Sequence, residues 1–136
     1  MSDPSFQFLN PSHWKKPSGY SNGVAATGRL VVTGGMIGWN SNYEFETDDF
    51  GEQVAQALRS AVEVLAEAGA NPEHIVRMTW YVTDKQEYLA SLKAIGAAYK
   101  ETIGRQYPAM ALVQVVALVE DRAKVEIEVT AVIPEV

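Results

Sequence analysis

Two carboxylates spaced two residues apart carry the clearest chemistry in this 136-residue chain. Glu126 and Glu128 alternate with Val125, Ile127 and Val129. Successive side chains of a strand point to opposite faces, so the acids share one face and the apolar residues the other. A carboxylate placed this way is either a solvated strand acid or, where a cleft closes over it, a general acid/base that moves protons to and from water. Tyr20 follows Gly19 in a turn-like segment. It reads as an aromatic packed on the sheet with its hydroxyl in water, or as a hydroxyl facing a ligand. Gly34-Gly35 reads as a backbone of unusual φ, a reading compatible with N–H groups brought close to a ligand.

Other reactive constellations are missing. The sequence has no cysteine, which removes disulfides, thiolate nucleophiles and thiolate metal sites together. His13 and His74 are far apart with no second ligand at useful spacing, so no metal is expected. There is no GxSxG and no Ser-His-Asp pattern, and Gly34-Gly35 lacks the following helix and lysine of a phosphate loop. A net charge of −6 argues against a broad nucleic-acid surface, which needs a basic face. The N-terminal MSDPSFQFLNPSHW lacks the basic and apolar regions of a signal peptide, and no apolar run approaches the roughly 20 residues of a membrane helix. A cytoplasmic protein without membrane or nucleic-acid partners is expected.

The elements that must position these residues follow from periodicity. One domain over residues 1–136 is expected, with an extended arm at 1–16 and Pro-, Ser- and Gly-rich chain continuing to residue 23. Val24–Ala26 and Arg29–Thr33, separated by Thr27-Gly28, predict a hairpin. Met36–Trp39 is expected to continue the sheet after a break at the glycine pair. Val54, Leu58, Ala61, Val62 and Leu65 predict a helix from about Asp49 to Ala68, capped by Asp48 or Asp49 and ended at Gly69. Ile75–Thr83 is dense in strand formers. Asp84 then caps a helix over Gln86–Ile103, with Leu89, Leu92, Ile95, Tyr99 and Ile103 inward and Gly104 at its end. Two tail runs, Ala109–Val119 and Lys124–Ile133, are joined by the polar turn Glu120-Asp121-Arg122. The sum is an α+β layer, two helices on one face of a mixed sheet. Trp14, Trp39 and Trp80 are expected to pack, with Trp14 and Trp39 in loops where they could line a cleft.

Four segments, in register over nearly the whole chain, resemble the reactive intermediate deaminase family (Rid, YjgF-like). Ser18-Gly19-Tyr20-Ser21 is similar to its GPYS-type segment, and Thr33-Gly34-Gly35-Met36-Ile37-Gly38 to its SGQIG-type turn. Ile75–Asp84 resembles its VVKTTVYLTD-type strand, and the tail its PAR-type and VEIE-type strands. The resemblance implies a chorismate mutase-like fold, a homotrimer with sites between subunits, and a deaminase of small imines or enamines that uses no cofactor. It assigns catalytic roles to Glu126 and Tyr20. It places Gly34, Gly35, Met110, Ala111, Leu112 and Lys93 at substrate-binding positions, and Arg105, at the end of the second helix, is added to them as a candidate cation.

The departures from the family pattern fall on these positions. Met110 stands where deaminating members carry an arginine that clamps the substrate carboxylate, Gly34 where a serine is common, Lys93 where some have asparagine and Leu112 where some have cysteine. A thioether has neither the charge nor the paired donors of a guanidinium, and loss of such a clamp costs on the order of 2–5 kcal/mol of binding. Methionine suits a filled core gap or the floor of an apolar pocket. Lys93, Arg105 and Arg29 are the candidate replacement cations, against the plain reading of solvent-facing charge. The leading expectation is a hydrolytic deaminase of an enamine or imine larger or more apolar than the simple α-imino acids. The alternatives are a non-catalytic small-ligand-binding or chaperone-like trimer and, least favoured for an acidic chain, an endoribonuclease. The apolar run Ala111-Leu112-Val113 also predicts self-association.

Overall fold

The computed structural model describes residues 5–135. The strands are β1 (Phe6–Phe8), β2 (Val24–Ala26), β3 (Arg29–Val32), β4 (Met36–Ile37), β5 (Ile75–Val82), β6 (Ala109–Gln114) and β7 (Val125–Ile133). The helices are α1 (Phe50–Ala66), α2 (Lys85–Ala90) and α3 (Leu92–Thr102), with a 3₁₀ turn at Pro72–His74. The main sheet runs β3-β7-β5-β6, and β4 also pairs with β7. All pairs are antiparallel except β5 with β6, which are parallel and joined by the α2–α3 crossover.

Helix α1 forms as its periodicity requires. Asp49 caps it, its side chain accepting from the Glu52 N–H at 2.9 Å, and the acidic Glu52 lies in the positive first turn. Val54, Ala57, Leu58, Ala61 and Leu65 are buried along one stripe, while Val62 is only partly so. That stripe meets the apolar residues of β7 (Val125, Ile127, Val129, Ala131) and of β5 (Ile75, Met78, Trp80, Val82). Full burial of each such aliphatic side chain is worth about 1.5–3 kcal/mol, so this seam is the main source of stability. Gly69 and Gly104 end α1 and α3 with φ of 82° and 94°.

A buried glutamine locks the tail to α1. Gln53 Nε2 donates to the Thr47 and Arg122 carbonyls at 3.1 and 3.0 Å, and its Oε1 accepts from the Lys124 N–H at 2.9 Å. Gly38 leaves the room: a Cβ there would lie 2.6 Å from Gln53 Cβ.

Several local expectations fail for reasons that lie beyond local pattern. Val24–Ala26 and Arg29–Val32 form no hairpin; β2 pairs with β1 of the arm, Phe6 opposite Ala26, and β3 pairs with β7. The arm holds a short strand, as its extended reading allowed, and its first four residues lie outside the described part. The tail strands are not neighbours, because β5 lies between them, and β6 stops at Gln114 rather than Val119. The second helix breaks at Ser91, whose φ of −113° and ψ of 13° are not helical. Across that break the expected inward stripe is lost: Leu89 and Leu92 are 52% and 50% exposed, while Ile95 and Ile103 are buried as expected.

Candidate functional site

The alternation of β5, β6 and β7 gives the sheet two unlike faces. On the helix-covered face, Met110 and Leu112 of β6 lie beside Met78 and Trp80 of β5. β6 is an edge strand, so this corner opens into a cavity of about 690 Å³ between it and the α2–α3 crossover. Trp80, Tyr88, Leu92, Tyr99, Met110 and Leu112 form its apolar walls, and Gly96 leaves a gap in α3 where a side chain would stand. Lys100 and Arg105 line it from the α3 side, both exposed and neither with a hydrogen-bond or ion-pair partner among the described residues. Trp80 is 2% exposed, and its Nε1 is a buried donor without an acceptor among the described residues. Tyr99 donates to the Gln106 carbonyl. Burial, then the neighbouring Tyr107, pushes its phenol well above the ordinary value.

The opposite face carries the acids. Glu126 lies opposite Tyr81, and Glu128 opposite Thr79. The Tyr81 hydroxyl donates to Glu128 Oε1 at 2.6 Å, a short charge-assisted bond. That bond, with burial and the charges of Glu128 and Glu126, raises the Tyr81 pKa above 10.0, while Arg77 opposes the shift. Glu128 is therefore engaged. Glu126 is half-buried and has no hydrogen bond or ion pair among the described residues. Gly35, in the turn between β3 and β4, passes directly against it: a Cβ at Gly35 would fall on the Glu126 carboxylate. A side chain there would push the carboxylate aside.

The residues singled out in the sequence thus divide. Met110, Leu112 and Arg105 come together in the edge cavity. Glu126 and Gly35 come together on the other face, and Ala111, opposite Thr79, shares it. Tyr20 is 42% exposed and lines a separate groove of about 700 Å³ beneath the arm, with Trp14 and Lys15. Ser18, Gly19 and Tyr107 border both this groove and the edge cavity. Ser21 ties the arm down, its N–H donating to the Pro108 carbonyl at 3.0 Å and its hydroxyl to the Tyr107 carbonyl at 2.7 Å. Gly34 is exposed with open space around it. Lys93 is exposed and does not line the cavity, and Arg29 donates to the Ala68 carbonyl at 2.6 Å. His74 sits in the 3₁₀ turn, its Nδ1 accepting from the Asn71 N–H. Trp39 stacks on Tyr43 with ring centroids 4.5 Å apart.

Sequence reading missed Tyr88, Trp80 and Lys100 as cavity residues. One signal was present: Tyr88, Leu92, Ile95 and Tyr99 recur at helical spacing with Gly96 among them, a stripe interrupted by a missing side chain. Gln53 was missed as well, since a glutamine inside a helical pattern reads as surface.

A mixed sheet with helices on one face, a cavity at its parallel edge and, on its other face, a carboxylate unpaired among the described residues define an α+β domain of two unlike faces. Among such domains, the chain belongs to the Rid/YjgF family: residues 13–133 match the family described as Endoribonuclease L-PSP. A RutC family protein of Aquifex aeolicus is 35% identical over 113 residues, covering 83% of this chain and 87% of that protein. A 2-iminobutanoate/2-iminopropanoate deaminase of Salmonella typhimurium is 30% identical over 105 residues, covering 77% and 80%. The crystal structure of YyfB from Yersinia pestis, described as a Rid-family protein of unknown function, matches with a TM-score of 0.84 at 32% identity, over 95% of this chain and 99% of that one. No helix among the described residues is long and apolar enough to cross a membrane.

Proposed function

We propose that this protein hydrolyses the C=N bond of an imine, or of an enamine that tautomerises to one, releasing ammonia. The observation that carries the reading is Glu126: a carboxylate with no partner among the described residues, held against the bare backbone of Gly35. Its neighbour Glu128 is occupied by Tyr81, so the two acids are not equivalent. Likeness to a 2-iminobutanoate/2-iminopropanoate deaminase supplies the reaction class.

The steps balance with water alone. Glu126 accepts a proton from water as the oxygen adds to the imine carbon and the C=N π electrons move to nitrogen. The carboxylic acid then returns that proton to nitrogen. The resulting carbinolamine collapses: its hydroxyl proton passes through Glu126 to the departing nitrogen, the C–N bond breaks, and a ketone and ammonia result. One group serves as base and then acid, a use worth about 10²–10⁴-fold in rate.

A single chain leaves this site open. The edge cavity and Glu126 are on opposite faces of one sheet, so a substrate seated in the cavity cannot meet the Glu126 of the same chain. The reading therefore includes a homotrimer in which Glu126 and Gly35 of one subunit close over the edge cavity of the next. Tyr20, on the arm beside that cavity, would contact the substrate from the border.

The test is Glu126→Gln against Glu63→Gln, an exposed acid of α1, with assembly followed by light scattering. Glu126→Gln should stay folded and trimeric and lose at least about 10²-fold in turnover of imines generated in situ, with Glu63→Gln near wild type. A monomer at micromolar concentration that still turns over would exclude the shared site. Wild-type turnover in Glu126→Gln would remove Glu126 from the mechanism, and no turnover by the wild-type protein would leave a small-ligand-binding trimer as the better reading.

A further inference from the structure

The edge cavity has a chemistry that names its occupant. Its depth is apolar and largely aromatic, from Trp80, Tyr99, Met110 and Leu112. At about 690 Å³ it matches pockets that hold drug-sized molecules, and a three-carbon acid would leave most of it empty. Two cations line it, Lys100 on the last turns of α3 and Arg105 just beyond Gly104. In a chain of net charge −6, neither is neutralised by any acid among the described residues. A helix C-terminus favours cations in any case, yet Arg105 bonds no carbonyl there. Meanwhile Met110 offers no donor on β6. Positive charge is thus at the exposed border and apolar surface at the base.

We propose that the cavity binds 2-imino and 2-oxo carboxylates with an aromatic or large branched side chain, the carboxylate held by Arg105 and Lys100 and the side chain seated on Met110, Leu112 and Trp80. The orientation has a chemical consequence. The imine carbon is bonded to the carboxylate carbon, so it lies at the border, within reach of a group from a neighbouring subunit and not sealed against Trp80. The proposal names a substrate class for the site just described. It rests on the deaminase reading for turnover and not for binding.

Isothermal titration calorimetry with phenylpyruvate tests it, with pyruvate and phenylacetone as probes lacking the ring and the carboxylate respectively. Phenylpyruvate should bind at least about tenfold more tightly than either, since the ring contributes buried apolar area and the carboxylate a charge-assisted contact. Arg105→Ala should weaken phenylpyruvate about tenfold and bring its affinity down to that of phenylacetone, while Arg105→Lys recovers part of the loss. Lys100→Ala should act in the same direction, more weakly. Equal affinity for phenylpyruvate and pyruvate, no binding up to millimolar concentration, or an unchanged Kd in the Arg105→Ala/Lys100→Ala double variant would overturn the proposal. Glu126→Gln separates the two readings, because it should leave the phenylpyruvate Kd within about twofold while cutting turnover at least about 10²-fold. Selective, Arg105-dependent binding with no turnover by the wild-type protein supports the binding site and removes the deaminase reading alone.

Discussion

The two faces of the central sheet are built from the same strands and do opposite work. On one, Val125, Ile127 and Val129 of β7 and Met78, Trp80 and Val82 of β5 are sealed beneath α1 and α3. On the other, the intervening residues form a half-open surface of Tyr81, Glu126 and Glu128, flanked by Leu30 and Val32 of β3, 66% and 61% exposed. A period of two assigns each strand residue to stability or to chemistry, with little shared between them. The edge cavity is an exception, a corner of the packed face where the helical cover thins to Gly96 and the exposed Leu92.

The sharpest way to break this contrast is to truncate adjacent residues of β5. Trp80→Ala should destabilise the fold by about 3–5 kcal/mol, the range for removing a buried aromatic. Urea unfolding measures it, and a loss under about 1 kcal/mol would show that the covered face does not dominate stability. Next in size is Gly35→Ala, which should reduce turnover roughly 10- to 100-fold by displacing the Glu126 carboxylate. Gly34→Ala, with open space around its Cβ, should stay near wild type, and equal effects at the two glycines would mean that contact with Glu126 is irrelevant.

Tyr81→Phe should lower Tm by less than Trp80→Ala does, because it removes one hydrogen bond and leaves no cavity. The smallest effect is spectroscopic. Of six tyrosines, Tyr81 and Tyr99 are held above the ordinary phenol range. A raised folded-state pKa favours the neutral phenol, so its stabilisation is fully present below about pH 10 and is lost as pH rises through the folded value. Ultraviolet titration should show late-ionising phenols, with Tyr81→Phe removing one of them. If the variant and wild-type curves differ only by an ordinary tyrosine, the bond to Glu128 does not persist in solution.

What could be read from residues alone follows the range of the forces involved. The buried stripe of α1, its Asp49 cap and the two faces of β7 were legible because each is encoded within a few residues. Pairing was not. Val24–Ala26 pairs with Phe6–Phe8 rather than with β3, and β5 intervenes between β6 and β7; alternation states which way a side chain points and not which strand is beside it. The break at Ser91 escaped notice because both sides of it favour helix, so Leu89 and Leu92 were wrongly turned inward. Of the candidate site, Glu126, Gly35, Met110 and Leu112 were nameable through the family resemblance, and Arg105 as a cation at a helix end. Their separation onto two faces, and the role of Trp80 and Lys100 in the cavity wall, depend on three-dimensional placement that no local spacing contains.

The position of β7 has a consequence for how this domain is made. It is the last strand in chain order, yet it pairs with β3, β4 and β5 and so holds the sheet together. During synthesis at about 5–20 residues per second, everything before it emerges without its central partner, leaving the edges of β3 and β5 unpaired. Helix α1 can form early, but the β7 part of the surface it packs against arrives only with Val125–Ile133. Nascent chains of this domain should therefore be more exposed to chaperones and proteases than their finished stability suggests, and a stop codon anywhere before Val125 should yield a chain that cannot fold rather than a weakened domain.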